Sequence, residues 1–142
     1  MKYGQFCPVA KATEILGEKW SLLIIRELLM LYLQRSIIPE KLIGTETVVR
    51  FKFTDLEKYS DWWILVKGDN VDVCFQNPGK DVEVYFTVDL RTMIELWMGD
   101  TPYKAALSDG RLKLVGPSAL TRNVSHWLAF SKFAGIPPAR EI

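Results

Sequence analysis

The sequence predicts an α+β domain, an antiparallel meander sheet with helices laid on one face, preceded by an N-terminal helix pair. Three observations carry this. Apolar residues recur at helical spacing over 7–33, alternate with period two from 47 to 86, and return to helical spacing after Asp89. Segments of unlike period following one another in blocks, rather than in strict βαβ alternation, argue for helices segregated to one side of a sheet.

The first helical stretch opens at Pro8, which suits the first position of a helix because its missing N–H is not needed there. Val9, Ala12, Ile15 and Leu16 follow helical spacing, Gly17 interrupts, and Trp20, Leu23, Ile24, Leu28 and Leu31 resume it. Two short amphipathic helices cannot bury both apolar faces alone, so they are expected to dock on the rest of the chain or to form a homodimer. Residues 34–46, punctuated by Pro39 and Gly44, fit neither period and are expected as a linker. The division read from these patterns is 1–33, 34–46 and 47–142.

Four strands are then expected. Val49, Phe51 and Phe53 alternate with Arg50 and Lys52; Trp63 and Leu65 alternate with Trp62, Ile64 and Val66. Lys67-Gly68-Asp69-Asn70 is a turn signal before Val71, Val73 and Phe75, and Asn77-Pro78-Gly79 is another before Val82, Val84 and Phe86. Asp89 is a suitable N-cap for a helix carrying Leu90, Met93, Ile94, Trp97 and Met98, and Gly99 ends it. A shorter helix follows Thr101-Pro102, then a strand over Arg111–Val115, and a last helix opens at Pro117-Ser118 and carries Leu120, Val124, Trp127 and Leu128.

Composition narrows the function classes. The 142 residues are 49% hydrophobic and 25% charged with a net charge of +1, the balance of a globular protein without a large basic footprint for nucleic acid. Arg26 and Glu27 interrupt the longest apolar runs, so no stable membrane insertion is expected. Cys7 and Cys74 stand far apart with no paired spacing, which fits reduced thiols and a cytoplasmic location. With a single histidine, His126, and two separated cysteines, neither a metal site, a cofactor nor a catalytic triad can be assembled, and no enzyme is expected.

The run Trp97-Met98-Gly99-Asp100-Thr101-Pro102, followed by Ser108-Asp109-Gly110-Arg111-Leu112-Lys113-Leu114-Val115-Gly116-Pro117, resembles the signature of sterol-carrier-protein-like domains over about 47–135. The resemblance implies a non-catalytic fold that houses an apolar small molecule or fatty acyl ligand between sheet and helices. Pockets of that kind are apolar and lined by aromatic rings. The side chains expected to line it are Trp62, Trp63, Phe75, Tyr85, Met93, Trp97 and Trp127; ordinary core packing is the competing assignment for each. Trp62 and Trp63 are neighbours on one strand and must face opposite ways, so one of them needs a cover outside the core. Arg111 and Lys113, with Arg91 and Arg122, offer a basic face for an acidic head group or a solvated surface.

Residues 3–28, with Cys7-Pro8-Val9-Ala10, Leu16-Gly17-Glu18-Lys19-Trp20 and Leu23-Ile24-Ile25-Arg26-Glu27-Leu28, resemble the opening helices of HxlR-type winged-helix regulators. Cys7 at a helix start would have its thiolate stabilised by free N–H groups, and the resemblance implies a redox sensor there, against the alternative of an inert cysteine. Only 30–46 separates this segment from the first strand, too short for a recognition helix and wing, so DNA binding is in doubt. Three readings follow: an apolar-ligand binding protein derived from a ligand-responsive regulator, a regulator that still binds DNA, and a pure interaction module.

Overall fold

The computed structural model describes residues 24–42, 44–132 and 134–135. Cys7 and most of the expected N-terminal helix pair lie outside them. Residues 24–36 form helix α1. Five strands follow, β1 (Glu46–Phe53), β2 (Asp61–Lys67), β3 (Asn70–Cys74), β4 (Val84–Val88) and β5 (Leu112–Val115). Helices α2 (Leu90–Met98) and α3 (Tyr103–Asp109) separate β4 from β5, and the short α4 (Ser118–Thr121) and α5 (Val124–Trp127) come last.

The sheet order is β3-β2-β1-β4-β5. The expected meander holds for β1 to β3, each antiparallel to the next. The fourth strand departs from it: β4 crosses back to lie parallel beside β1, with Val49 opposite Val84 and Phe53 opposite Val88. The α+β class stands, with a mixed sheet. The reason lies in the strands themselves. Thr47, Val48, Val49, Phe51 and Phe53 of β1 are buried, whereas β3 has no buried residue. A central strand needs neighbours on both edges, and the short, polar β3 (Asn70, Asp72) is built to be an edge. Residues 75–83 supply the crossover, and Glu83 fastens its end: its N–H donates to the Val48 carbonyl and its carboxylate accepts from the Val48 N–H at 2.6 Å.

Helix α2 forms as the sequence suggests. The Asp89 carboxylate accepts from the Thr92 N–H, Gly99 closes the helix in the left-handed region, and Asp55 accepts from the Leu90 N–H. The final helix is split, α4 ending at Thr121 and α5 beginning at Val124.

One face of the sheet carries the core. Val49, Phe51, Phe53, Trp62, Ile64, Val84, Phe86 and Val88 pack there against Leu90, Met93 and Leu96 of α2, Trp127 of α5, and Leu29, Met30 and Leu33 of α1. Residues 34–46, expected as a linker, carry the last turn of α1, the buried Ile37 and a short 3-10 turn at Pro39–Lys41. Backbone bonds tie this stretch to the far end of the chain: Ile38 N–H to the Trp127 carbonyl at 2.8 Å, Ala129 N–H to the Ser36 carbonyl at 2.9 Å, and a bridge between Ile37 and Leu128. Periodicity alone placed these residues outside the domain because Pro39 and Gly44 mask the apolar positions between them.

Candidate functional site

Among the described residues, grooves lie on two sides of α1. The first lies where α1, α2 and residues 129–132 meet and has a volume of about 190 Å³. Its floor is a ring pair, Tyr32 and Trp97, with centroids 6.0 Å apart. Ser36 orients the indole: the Trp97 Nε1–H donates to Ser36 Oγ at 3.0 Å, and that hydroxyl donates in turn to the Tyr32 carbonyl. The chain beyond α5 is pinned across the end of α2 by the Ser131 N–H, which donates to the Trp97 carbonyl. This brings the exposed ring of Phe130 to the groove as a wall. Arg35 and Lys132 stand at its rim.

The second groove lies between α1 and β2–β3, lined by Leu28, Met30, Leu31, Trp62, Val73 and the polar pair Glu27 and Gln34. At its end the Arg26 guanidinium lies over the rings of Tyr59 and Trp62, at 5.4 and 5.3 Å. Arg26 is buried, and its Nε has no hydrogen-bond partner among the described residues. The arrangement holds a cation by ring quadrupoles rather than by a carboxylate, apart from the exposed Glu27 at 3.3 Å.

The seven side chains expected to share a cavity are divided among four places. Trp97 is on the floor of the first groove and Trp62 lines the second, with Phe75 exposed beside it at 6.1 Å. Met93 and Trp127 are sealed in the core; the Trp127 indole donates to the Leu120 carbonyl and meets Phe86 edge to face. Trp63 and Tyr85 are on the opposite sheet face, aligned on either side of Arg50. The cover Trp63 required is an arginine: Arg50 lies 5.6 Å over the ring and is itself held by Asp61 at 2.9 Å, leaving the indole 7% exposed.

Sequence reasoning missed Tyr32, Arg35 and Ser36, which sit on the outer turns of a helix read as part of a separate segment. Their signal was Tyr32 following Leu31 on the apolar stripe. Of the basic face expected at Arg111, Lys113, Arg91 and Arg122, two members are taken up internally: the Arg111 guanidinium pairs with Asp109 at 2.8 Å and Glu95 at 3.6 Å, and Arg91 also pairs with Glu95. The Arg111 backbone N–H, followed by its side chain, holds the Asp109 carboxyl below the usual range. Burial pushes the Tyr103 phenol up, so it stays protonated. No group of acidic, histidine or cysteine side chains among the described residues is arranged to hold a metal, and no described helix is long and apolar enough to cross a membrane.

Comparison with known proteins bears on this architecture. No curated protein matches the sequence. Among solved structures, the inverting sec-alkylsulfatase Pisa1 from Pseudomonas sp. is similar with a TM-score of 0.53 at 19% identity, covering 70% of this chain and 16% of that one. A UbiJ-SCP2 ubiquinone synthesis protein is similar with a TM-score of 0.53 at 16% identity, covering 74% of this chain and 92% of that one. Sterol carrier protein 2 like 2 from Aedes aegypti is 18% identical over 77% of this chain and 97% of its own, with a TM-score of 0.47. This chain therefore spans only a small part of the alkylsulfatase, and identities this low speak to fold alone. The model of the SCP-2 sterol transfer family matches residues 27–129, from the second visible turn of α1 to the residue after Leu128. The chain belongs to the SCP-2 sterol transfer family.

Proposed function

We propose that this protein binds an apolar small molecule, without catalysing its conversion, in the groove between α1, α2 and residues 129–132. The observation that carries the reading is the half-buried Trp97–Tyr32 ring pair, held in place by Ser36 and walled by the exposed Phe130. Exposed aromatic surface in a concave setting is stabilised when a guest removes it from water, at about 25 cal/mol per Å². Apolar binding or transfer is also what the family match suggests.

The test has two arms. Protein purified under native conditions is extracted with organic solvent and the extract examined by mass spectrometry. Separately, the indole N–H signals are followed by NMR while 1-octanol is added. Saturable movement of the Trp97 signal is expected, with Trp127 unmoved. Trp97→Ala is expected to weaken binding by about tenfold, the loss of one well-packed ring. An empty extract together with a static Trp97 signal would favour the interaction-module reading.

The proposal includes a homodimer through the N-terminal helical part. On α1, Ile24, Ile25, Leu28 and Leu31 stand exposed along one side, a contiguous apolar stripe of the kind that marks association surfaces. Leu28→Glu and Leu31→Glu are each expected to convert the dimer to a monomer in sedimentation velocity without changing the circular dichroism; a wild-type chain that sediments as a monomer at all concentrations removes the dimer. Descent from a ligand-responsive, cytoplasmic regulator rests on the resemblance of residues 3–28, of which only 24–28 are described. Absence of any duplex shift at low salt would end the DNA-binding alternative.

A further inference from the structure

We infer that the molecule held in the groove carries a negative charge, as a short-chain or single-ring carboxylate or sulfate does; this rests on the groove being the ligand site. The argument begins with charge placement. Arg35 and Lys132 both stand at the rim, and among the described residues no aspartate or glutamate lines the groove. Among the described residues neither cation takes part in an ion pair, while the other basic side chains near α2, Arg91 and Arg111, are taken up by Glu95 and Asp109. Arg35 is also fixed in position: its guanidinium lies 5.6 Å over the Tyr32 ring, which itself rests on Trp97. A stacked guanidinium keeps its in-plane donors free for a planar anion.

Two other grooves among the described residues are charged differently. The second groove bordering α1 is lined by Glu27, whose carboxylate already pairs with Arg26 at the groove's end, and a third, near the β2–β3 turn, is lined by Glu40, Glu46 and Asp69. With a net charge of only +1, two cations that have no ion-pair partner among the described residues and flank one aromatic floor are not a reflection of overall charge. Size limits the guest further. A volume of about 190 Å³ is below the roughly 300–1,000 Å³ of pockets that enclose drug-sized ligands. A bulky neutral ring system fits this groove poorly; a short tail on the Trp97 floor with its head between Arg35 and Lys132 fits well.

The experiment compares four probes of equal tail length on the full chain: octanoate, octyl sulfate, 1-octanol and octylammonium, each followed by the Trp97 indole N–H signal. Octanoate and octyl sulfate are expected to bind about fivefold or more tighter than 1-octanol, the scale of two solvent-exposed charge contacts, and octylammonium weakest. The preference is expected to shrink with added salt. In the Arg35→Gln/Lys132→Gln double variant it should vanish while 1-octanol affinity is kept, which also reports that the groove is intact. Equal binding of 1-octanol and octanoate, or a gap that survives the double variant, overturns the inference and leaves apolar binding standing. If no probe moves the Trp97 signal, the groove is not the site and both readings fall.

Discussion

Trp127→Ala is expected to be the most damaging single substitution in the described fold, lowering stability by about 3–5 kcal/mol. The indole is 1% exposed, packs edge to face on Phe86 at 6.2 Å, and donates to the Leu120 carbonyl at 3.0 Å. Truncation removes the ring contacts and leaves a cavity at the point where α5 meets the sheet. It also loosens the residue whose carbonyl accepts from the Ile38 N–H, so the damage should spread to the end of α1. Small domains have only about 5–15 kcal/mol in total, so a large part of the margin would go. Trp127→Phe keeps an aromatic ring against Phe86 but not the N–H donor, and should cost about 1–2 kcal/mol. Urea titration of the three proteins measures both differences; a Trp127→Ala midpoint indistinguishable from wild type would show that this residue is not the anchor described.

Gly116→Ala is expected to come next. A Cβ at this position would stand 2.4 Å from the Glu83 carbonyl oxygen and 3.3 Å from the Val84 Cα, both backbone atoms at the start of β4. Neither can swing aside as a side-chain tip would, because Glu83 is bonded to Val48 through both its N–H and its carboxylate. Forcing the strands apart should cost about 1–3 kcal/mol by overpacking. Its φ of 153° adds strain for any residue with a side chain. Gly110→Ala is the control: it has positive φ but nothing within 4 Å, so only the conformational term of about 1–2 kcal/mol applies. Equal losses for the two variants in a urea titration would discard the close-approach argument.

Gly116 also shows what kind of information the sequence carried. The Gly-Arg-Leu-Lys-Leu-Val-Gly run was legible as a motif, and Asp89, Gly99, Pro102 and Gly110 marked helix boundaries within a residue or two, because caps and turns are local chemistry. Why the second glycine is needed was not legible. It depends on the backbone of β4, thirty residues earlier, and on a strand order that no local pattern encodes. The same limit governed β4, whose period was clear but whose partner was β1 rather than β3. It governed the site most of all. Aromatic residues were easy to enumerate, yet Met93 and Trp127 are buried in the core while Trp97 lies at a groove with Tyr32 and Phe130. Whether a ring faces the core or a cleft is decided by neighbours brought from α1 and from residues 129–132.

The bonds that join residues 36–38 to residues 127–129 have a consequence for synthesis. β1 can pair with β2 as soon as the hairpin has left the ribosome, but its other edge stays bare until residues 84–88 arrive. The apolar side of α1 has no finished bed until Trp127 has been made. A growing or prematurely terminated chain therefore displays an open strand edge and greasy helix surface through most of translation, the form that chaperones and proteases recognise.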